Sequence, residues 1–300
     1  MGGYQMGEGT LKQREIHVGQ IRTQYLEAGT GPALLLLHGD AGTAFDWADI
    51  LSELAPGHRV VALHLPGYGY TQTLPPTSGE QDDAEHIARF VWAFADAVGI
   101  GDTILGGHSF GGLTALHAAL QQSGRVPAMI IVDGAGLGRA VGPLLYANAN
   151  TPLGRLTAAA NLMPGGAELL SLLLAPSLYR QPWRVSRAAW KHQVEASRSR
   201  VYLRMALSVA RRNVGWLGQK YPVVDRLPEL SMPVLLVWGL LDNVVPFWHG
   251  VRASRLLPAA RLHLVPFAGH IPHVEASTEV LEVMRPFLGS VAEGSARCSS

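Results

Sequence analysis

The chain predicts a mainly parallel α/β sheet covered by helices on both faces and interrupted by one long helical insertion. Three observations carry this reading. Eight short aliphatic or β-branched runs recur along the 300 residues, amphipathic helical spacing separates most of them, and one stretch, residues 134–230, holds no convincing strand. Strands and helices that alternate in this way build parallel sheets buried on both faces.

Residues 14–18 and 21–27 read as an opening hairpin around Gly19-Gln20, a two-residue turn. Residues 33–37 form a continuous aliphatic run, and 60–63, 103–105, 129–132, 234–238 and 262–265 are similar, which completes eight expected strands. Between them, residues 45–54, 82–98, 110–122, 247–257 and 277–288 repeat their apolar positions with helical period. Residues 290–300 are small and polar and are expected to fray. The stretch 134–230 is leucine-, arginine- and aromatic-rich and punctuated by Pro143, Pro152, Pro164, Pro176 and Pro182. A structureless loop of that length does not fit a compact domain. The expected organisation is a core of residues 1–133 and 231–300 with a helical cap at 134–230.

Apolar residues make up 48% and charged residues 16%, so the chain can bury a large core. A net charge of +1, from 24 basic and 23 acidic residues, argues against a nucleic-acid partner. The single cysteine, Cys298, excludes an intramolecular disulfide and a cysteine-held metal. The most apolar stretch, 169–178, is broken by Ser171, Pro176 and Ser177 and falls short of a membrane span. Residues 1–10 lack the apolar segment of a signal peptide, and Met6 stands where myristoylation wants Ser or Thr. A cytoplasmic chain with no membrane partner, monomeric or homodimeric, is the expectation. The charge is nonetheless uneven: residues 134–230 hold 13 of the 24 Lys/Arg but only Glu168, Glu195, Asp225 and Glu229. Solvated helix faces and docking of cap on core explain this, and so does steering of anionic substrates.

Gly107-His108-Ser109-Phe110-Gly111 matches G-x-S-x-G, between a predicted strand and a predicted helix. A sharp strand-to-helix turn exposes the serine hydroxyl at the carboxyl end of the sheet, and the glycines remove side chains that would clash. Serine alone is a weak nucleophile and needs a base held by a third group. His270, in Phe267-Ala268-Gly269-His270 after the last predicted strand, is the candidate base. His273 is the nearest rival, His108 adjoins the serine, and His117 lies on the following helix. Asp242, after the run 234–238, is the candidate orienting acid, with Asp133 at the end of 129–132 as its rival. The backbone N–H groups of Asp40 and Phe110 are the candidate oxyanion donors. No H-E-x-x-H, dinucleotide or phosphate-loop fingerprint is complete, so no metal and no cofactor are expected.

Taken together, HGDAG (38–42), LPGYG (65–69), GHSFGG (107–112), WGLLDNVVP (238–246) and GHIPHVE (269–275) resemble the α/β-hydrolase superfamily with a helical cap, over about residues 14–288. The resemblance implies an α/β-hydrolase fold and a serine hydrolase with a Ser109–His270–Asp242 triad and a lid over its pocket. Cap-bearing epoxide hydrolases and haloalkane dehalogenases carry an aspartate nucleophile where Ser109 stands. Hydrolases of carbon–carbon bonds in ring-fission products usually show Gly-Pro-Gly after the first His-Gly-x, where this chain has Ala41-Gly42-Thr43. Two departures bear on function. Asp40 occupies a position that is often apolar or aromatic in such enzymes, and an inward carboxylate there would oppose an oxyanion. His64 replaces the usual aspartate before L-P-G-x-G.

The function expected is hydrolysis of a small-to-medium carboxylic ester, apolar or aromatic, with an anionic one allowed by the basic cap. Hydrolysis of a vinylogous keto acid is the alternative, and a non-catalytic ligand-binding protein a third reading. His38, Gly39, His108, Leu144 and Trp183 are candidate substrate contacts. Leu145, Tyr146, Leu153, Leu172, Leu173 and Trp190 either line the same pocket or pack the cap.

Overall fold

A computed structural model describes residues 11–75 and 83–298, with 294–298 as backbone alone. The expectations for residues 1–10 and for a helix start at Asp82 lie outside the described residues. In chain order the core elements are β1 (Lys12–Val18), β2 (Ile21–Ala28), β3 (Ala33–Leu37), α1 (Ala48–Leu54), β4 (Arg59–Leu63), α2 (Ala84–Ala97), β5 (Ile104–His108), α3 (Ser109–Gln121) and β6 (Met129–Val132). Five helices follow: α4 (Pro143–Asn150), α5 (Leu153–Asn161), α6 (Gly166–Leu178), α7 (Arg187–Ser197) and α8 (Arg200–Asn213). A two-residue ladder, β7 (Val214–Gly215) with β8 (Gly218–Gln219), leads back to β9 (Val234–Gly239), α9 (Trp248–Leu256), β10 (Ala260–Val265), α10 (Pro272–Glu275) and α11 (Ser277–Cys298).

The eight large strands form one sheet in the order β1-β2-β4-β3-β5-β6-β9-β10, antiparallel only at β1–β2 and β2–β4. Along β3, Leu35 and Leu37 face one core with α2, α3 and α9, while Leu34 and Leu36 face the other with α1 and α11. Burial on both faces is why these strands read as unbroken aliphatic runs. The crossover direction reverses around β3 and β5, so the carboxyl ends of these central strands open into a crevice.

Three expectations change. Residues 45–54 split into a 3-10 turn at Ala44–Trp47, capped by the Thr43 side chain, and the short α1. The stretch 134–230 does contain strand, the β7–β8 ladder, made possible by Gly218 at φ +89° beyond Trp216 and Leu217. The C-terminal helix runs on to Cys298, where fraying was expected, because alanine and glutamate in 291–298 are good helix formers.

The turn from β5 to α3 depends on contacts between backbones. A Cβ on Gly107 would enter the Gly111 carbonyl, and one on Gly111 would enter the carbonyls of His38 and Leu37. Neither obstacle is a flexible side chain. Gly111→Ala is therefore expected to destabilise the protein by about 1–3 kcal/mol or to prevent folding. Gly124→Ala, where nothing lies within 4 Å, is expected to stay within about 0.5 kcal/mol of wild type. Urea unfolding of the two variants checks both.

Candidate active site

Ser109 is the first residue after β5 and sits at φ +50°, a conformation that costs a non-glycine residue energy. The close backbone packing of Gly107 and Gly111 holds it there. The turn puts its hydroxyl at the amino end of α3, where the helix dipole favours negative charge. His270 follows β10, and its Nε2 lies 3.0 Å from Ser109 Oγ. Its Nδ1 donates to Asp242 Oδ2 at 2.8 Å, which leaves the Nε2 lone pair for the serine proton. Asp242 Oδ1 accepts from the amides of Val244 (2.7 Å) and Val245 (3.0 Å), so both carboxylate oxygens are aimed.

The rival acid, Asp133, is fully buried at φ +46° and accepts from the Gly239 amide at 2.9 Å. Burial, with the Asp242 charge beside it, pushes its carboxyl well above the usual range, so it keeps its proton. It ties β6 to the end of β9 and does not bond to His270. Ligand-capable atoms of Asp133, Asp242 and His270 lie within 4.8 Å of one another. Their hydrogen bonds within the protein already engage the Asp242 oxygens, the His270 nitrogens and Asp133 Oδ1. His273, the rival base, lies in α10, stacked on Trp47 with ring centroids 4.2 Å apart. His117 is half-buried on α3 and away from the site.

The oxyanion turn after β3 is held from below by His38. Its Nδ1 donates to the Gly39 carbonyl (2.8 Å) and its Nε2 accepts from the Leu65 amide (3.0 Å). Neither the Asp40 nor the Phe110 amide donates to a described residue, so both are free for an incoming oxygen. The Asp40 side chain borders the cavity, and its Oδ1 accepts from Tyr68 Oη (2.6 Å) and the Ala41 amide (2.8 Å). Desolvation nonetheless raises its pKa to about 7. From the helical segment, Tyr202 Oη donates to the Ala41 carbonyl, joined by Gln193 Nε2 at 3.3 Å. His64 accepts from the Ala44 amide at 3.3 Å, and its ring fills the space beside Gly69. His64 does not line the cavity.

The helical segment also grips the base. The His270 amide donates to the Leu178 carbonyl at the end of α6 (2.7 Å), and the His270 carbonyl accepts from His108 Nε2 (2.7 Å). Glu275, 1% exposed, accepts from the amides of Gly269 (2.6 Å), Arg180 (2.8 Å) and Gln181 (2.7 Å). Arg180 Nε and Gln181 Nε2 reach the Leu241 and Phe267 carbonyls on the acid and base loops. Glu275 sits inside the GHIPHVE motif, so its signal was available, though its role was not; nothing in the sequence singled out Tyr202 or Leu178.

A cavity of about 290 Å³ opens onto Ser109. Its walls come from α4, α5, α6, α7 and α8, with Leu170, Leu174, Leu203 and Leu207 among the apolar contributors, and with Leu144, Leu145 and Trp190 as the sequence suggested. None of its lining residues is Lys or Arg. Several expected contacts are displaced. Trp183 sits in a 3-10 turn and is 77% exposed, while Leu153, Leu172 and Leu173 face outward, because the inward faces of α5 and α6 carry other residues. Tyr146 turns to the Trp216 carbonyl at 3.4 Å. His38, Gly39 and His108 lie beneath the turn rather than on the cavity wall: all the ring bonds of His38 and the Nε2 bond of His108 go to backbone, and Gly39 packs on the His108 ring.

A strand–turn–helix serine, a histidine after the last strand and an aspartate after the preceding one, on this sheet order, define an α/β hydrolase. The alpha/beta hydrolase fold family matches residues 32–277, and the chain belongs to it. It is 29% identical over 269 residues to a 2-hydroxy-6-oxo-6-phenylhexa-2,4-dienoate hydrolase of Comamonas testosteroni, covering 88% of this chain and 90% of that one. It is 28% identical to the dihydrolipoyllysine-residue acetyltransferase component of the acetoin cleaving system of Pseudomonas putida, over 96% of this chain and 72% of that protein. The solved structure of a membrane phospholipase A, a bacterial virulence factor, superposes with a TM-score of 0.77 at 26% identity, covering 94% and 87% of the two chains.

Two predictions follow from the geometry. The native state binds the Asp40 proton more tightly than the unfolded chain, with a pKa of about 7 against 3.8. Its contribution to stability therefore falls as pH rises between those values and is level above them. Ionised Asp40 beside the oxyanion turn opposes the developing charge, so kcat/KM should fall as pH rises through about 7. Asp40→Asn should remove that limb, and an unchanged profile would assign it to another group. Glu275→Gln turns an amide NH2 toward backbone donors and is expected to cost about 1–3 kcal/mol. Below its melting point it should lower kcat more than it changes KM; an unaltered kcat would show that the loops hold without the carboxylate.

Proposed function

We propose that this chain is a serine hydrolase that cleaves small-to-medium carboxylic esters with an apolar acyl group through an acyl-enzyme. The observation that carries this reading is Ser109 Oγ, 3.0 Å from His270 Nε2, at the floor of a cavity with no cation on its walls. At about 290 Å³ the cavity is at the small end of ligand pockets. Residues 134–230 act in this scheme as the cap that supplies most of the walls.

Ser109 Oγ attacks the ester carbon as its proton passes to His270 Nε2. The Asp40 and Phe110 amides hold the oxyanion, and Asp242 fixes the ring and stabilises its positive charge. Collapse breaks the bond to the alkoxide, which leaves as alcohol with the proton from His270. Water then gives a proton to His270 and attacks the acyl carbon. The second collapse frees the acid and returns the proton to Ser109.

The competing reading, hydrolysis of a carbon–carbon bond in a keto acid, draws on the Comamonas relative, whose name gives a dienoate. An anion of that kind needs a cationic partner when desolvated, and no Lys or Arg lines this cavity. A chain-length series of p-nitrophenyl esters, run beside a ring-fission dienoate, separates the two. Esters should be turned over with an optimum at medium chain length, and Ser109→Ala should lose at least about 1,000-fold in kcat together with fluorophosphonate labelling. Dienoate turnover without ester turnover would overturn the ester reading.

A further inference from the structure

Helix α6 is apolar on both sides. Leu170, Leu174 and Leu178 line the cavity, while Leu169, Leu172 and Leu173 are 57%, 61% and 64% exposed. With the exposed Pro176 they follow the i, i+3, i+4, i+7 spacing of a single helix face. Helix α5, packed against α6, and the turn after it extend this surface through Leu156 and Met163, each 65% exposed. Monomeric proteins rarely leave an apolar surface of this kind uncovered.

On the other flank of α5, Arg155, Arg200 and Arg204 border a shallow groove of about 190 Å³ with apolar walls. Among the described residues no carboxylate pairs with any of the three. The nearby acids are engaged elsewhere, Glu168 by Arg198 and Glu195 by Lys191.

We propose that the outward face of α5, α6 and the first turns of α8 docks on a bilayer of anionic phospholipid. The leucines enter the acyl boundary and the three arginines meet the lipid phosphates, the composition of a helix lying in a membrane interface. The apolar stripe contains no aromatic residue, whereas protein–protein contacts concentrate on Trp, Tyr and Arg with few leucines. A second copy of the chain on this face would bring two unneutralised arginine clusters together. The expectation of no membrane partner rested on the want of a spanning segment, and no described helix is long and apolar enough to cross a membrane. Surface docking needs none. The face is read independently of the ester-hydrolase proposal; it deepens that proposal by naming an amphiphilic ester, drawn from the bilayer, as substrate.

Flotation with phosphatidylglycerol–phosphatidylcholine vesicles tests it, against pure phosphatidylcholine and with sedimentation velocity of the lipid-free protein. Wild type and Ser109→Ala should both float with anionic vesicles, on the order of tenfold more than with neutral ones, and less in high salt. Arg155→Gln/Arg200→Gln/Arg204→Gln and, separately, Leu172→Ser/Leu173→Ser should lose this association while hydrolysing a short soluble ester within about twofold of wild type. Equal binding to neutral vesicles, no binding, or binding unaffected by both substitutions would overturn the proposal. So would a wild-type dimer that Leu172→Ser/Leu173→Ser makes monomeric, which would assign the face to a second copy. Vesicle binding without any Ser109-dependent turnover would sink the hydrolase reading and leave the docking surface standing.

Discussion

The site depends on one buried carboxylate that accepts no side chain. Glu275 gathers three backbone amides, one from the loop that carries the base and two from the segment after α6. An ionised acceptor among backbone donors is worth about twice a neutral hydrogen bond, and each orphaned amide would cost desolvation energy. Burial raises the Glu275 pKa, and the amide donors oppose that shift. With the bond from the His270 amide to the Leu178 carbonyl, this carboxylate makes the end of α6 part of the base's support. The helical segment is thus fastened at the same place where it forms the cavity.

A second constraint is electrostatic. The chain has 12 histidines, and several are packed around His270. Burial lowers the pKa of His38 to about 4, and of His64 and His273 to about 3, and puts His108 well below its ordinary value. These rings are neutral near pH 7 and serve as shaped hydrogen-bonding or stacking units. His270 differs from them in having the Asp242 carboxyl group aimed at its Nδ1. In the mechanism proposed above, a neutral surround lets an imidazolium on His270 be stabilised by Asp242 without repulsion from its neighbours. Burial and the charge of Asp242 beside it push the Asp133 carboxyl well above its ordinary value.

Much of this was legible in the sequence because it is dictated by the backbone. The central strands are visible as aliphatic runs, since burial on both faces leaves no alternation to obscure them, while the mostly exposed β1 is legible through its hairpin turn. Ser109, Asp242 and His270 were legible because each follows a strand that ends at one edge, so topology alone brings them together. Asp40 stood out as a carboxylate where a carboxylate is unfavourable, though not its bond to Tyr68. The cavity walls were harder to read. In α6 six of the thirteen residues are leucine, three of them the run 172–174, so helical period cannot separate Leu174, on the cavity, from Leu173, in solvent. Trp183 is one of several apolar residues of the helical segment, but its turn is held by Gln181, bonded to Glu275 and Phe267, and by Arg184, bonded to Glu279. Tyr202 and Leu178 act through a hydroxyl and a carbonyl over sequence separations that no local pattern encodes.

Leucines on two opposite sides of α6 are what give that helix its place in the molecule. An amphipathic helix hides one face and solvates the other, and its position is then settled by the core alone. A helix apolar all round gains nothing from water on either side. Here Leu170, Leu174 and Leu178 border the open cavity and Leu169, Leu172 and Leu173 face water, while α5 and α7 pack on its other sides. Its end is nevertheless pinned by Tyr179, which is buried against Val274, and by the bonds that Arg180 and Gln181 make to Glu275. On the ester-hydrolase reading proposed above, the α5–α6 edge, with leucines toward both the cavity and water, is where an apolar acyl chain would enter.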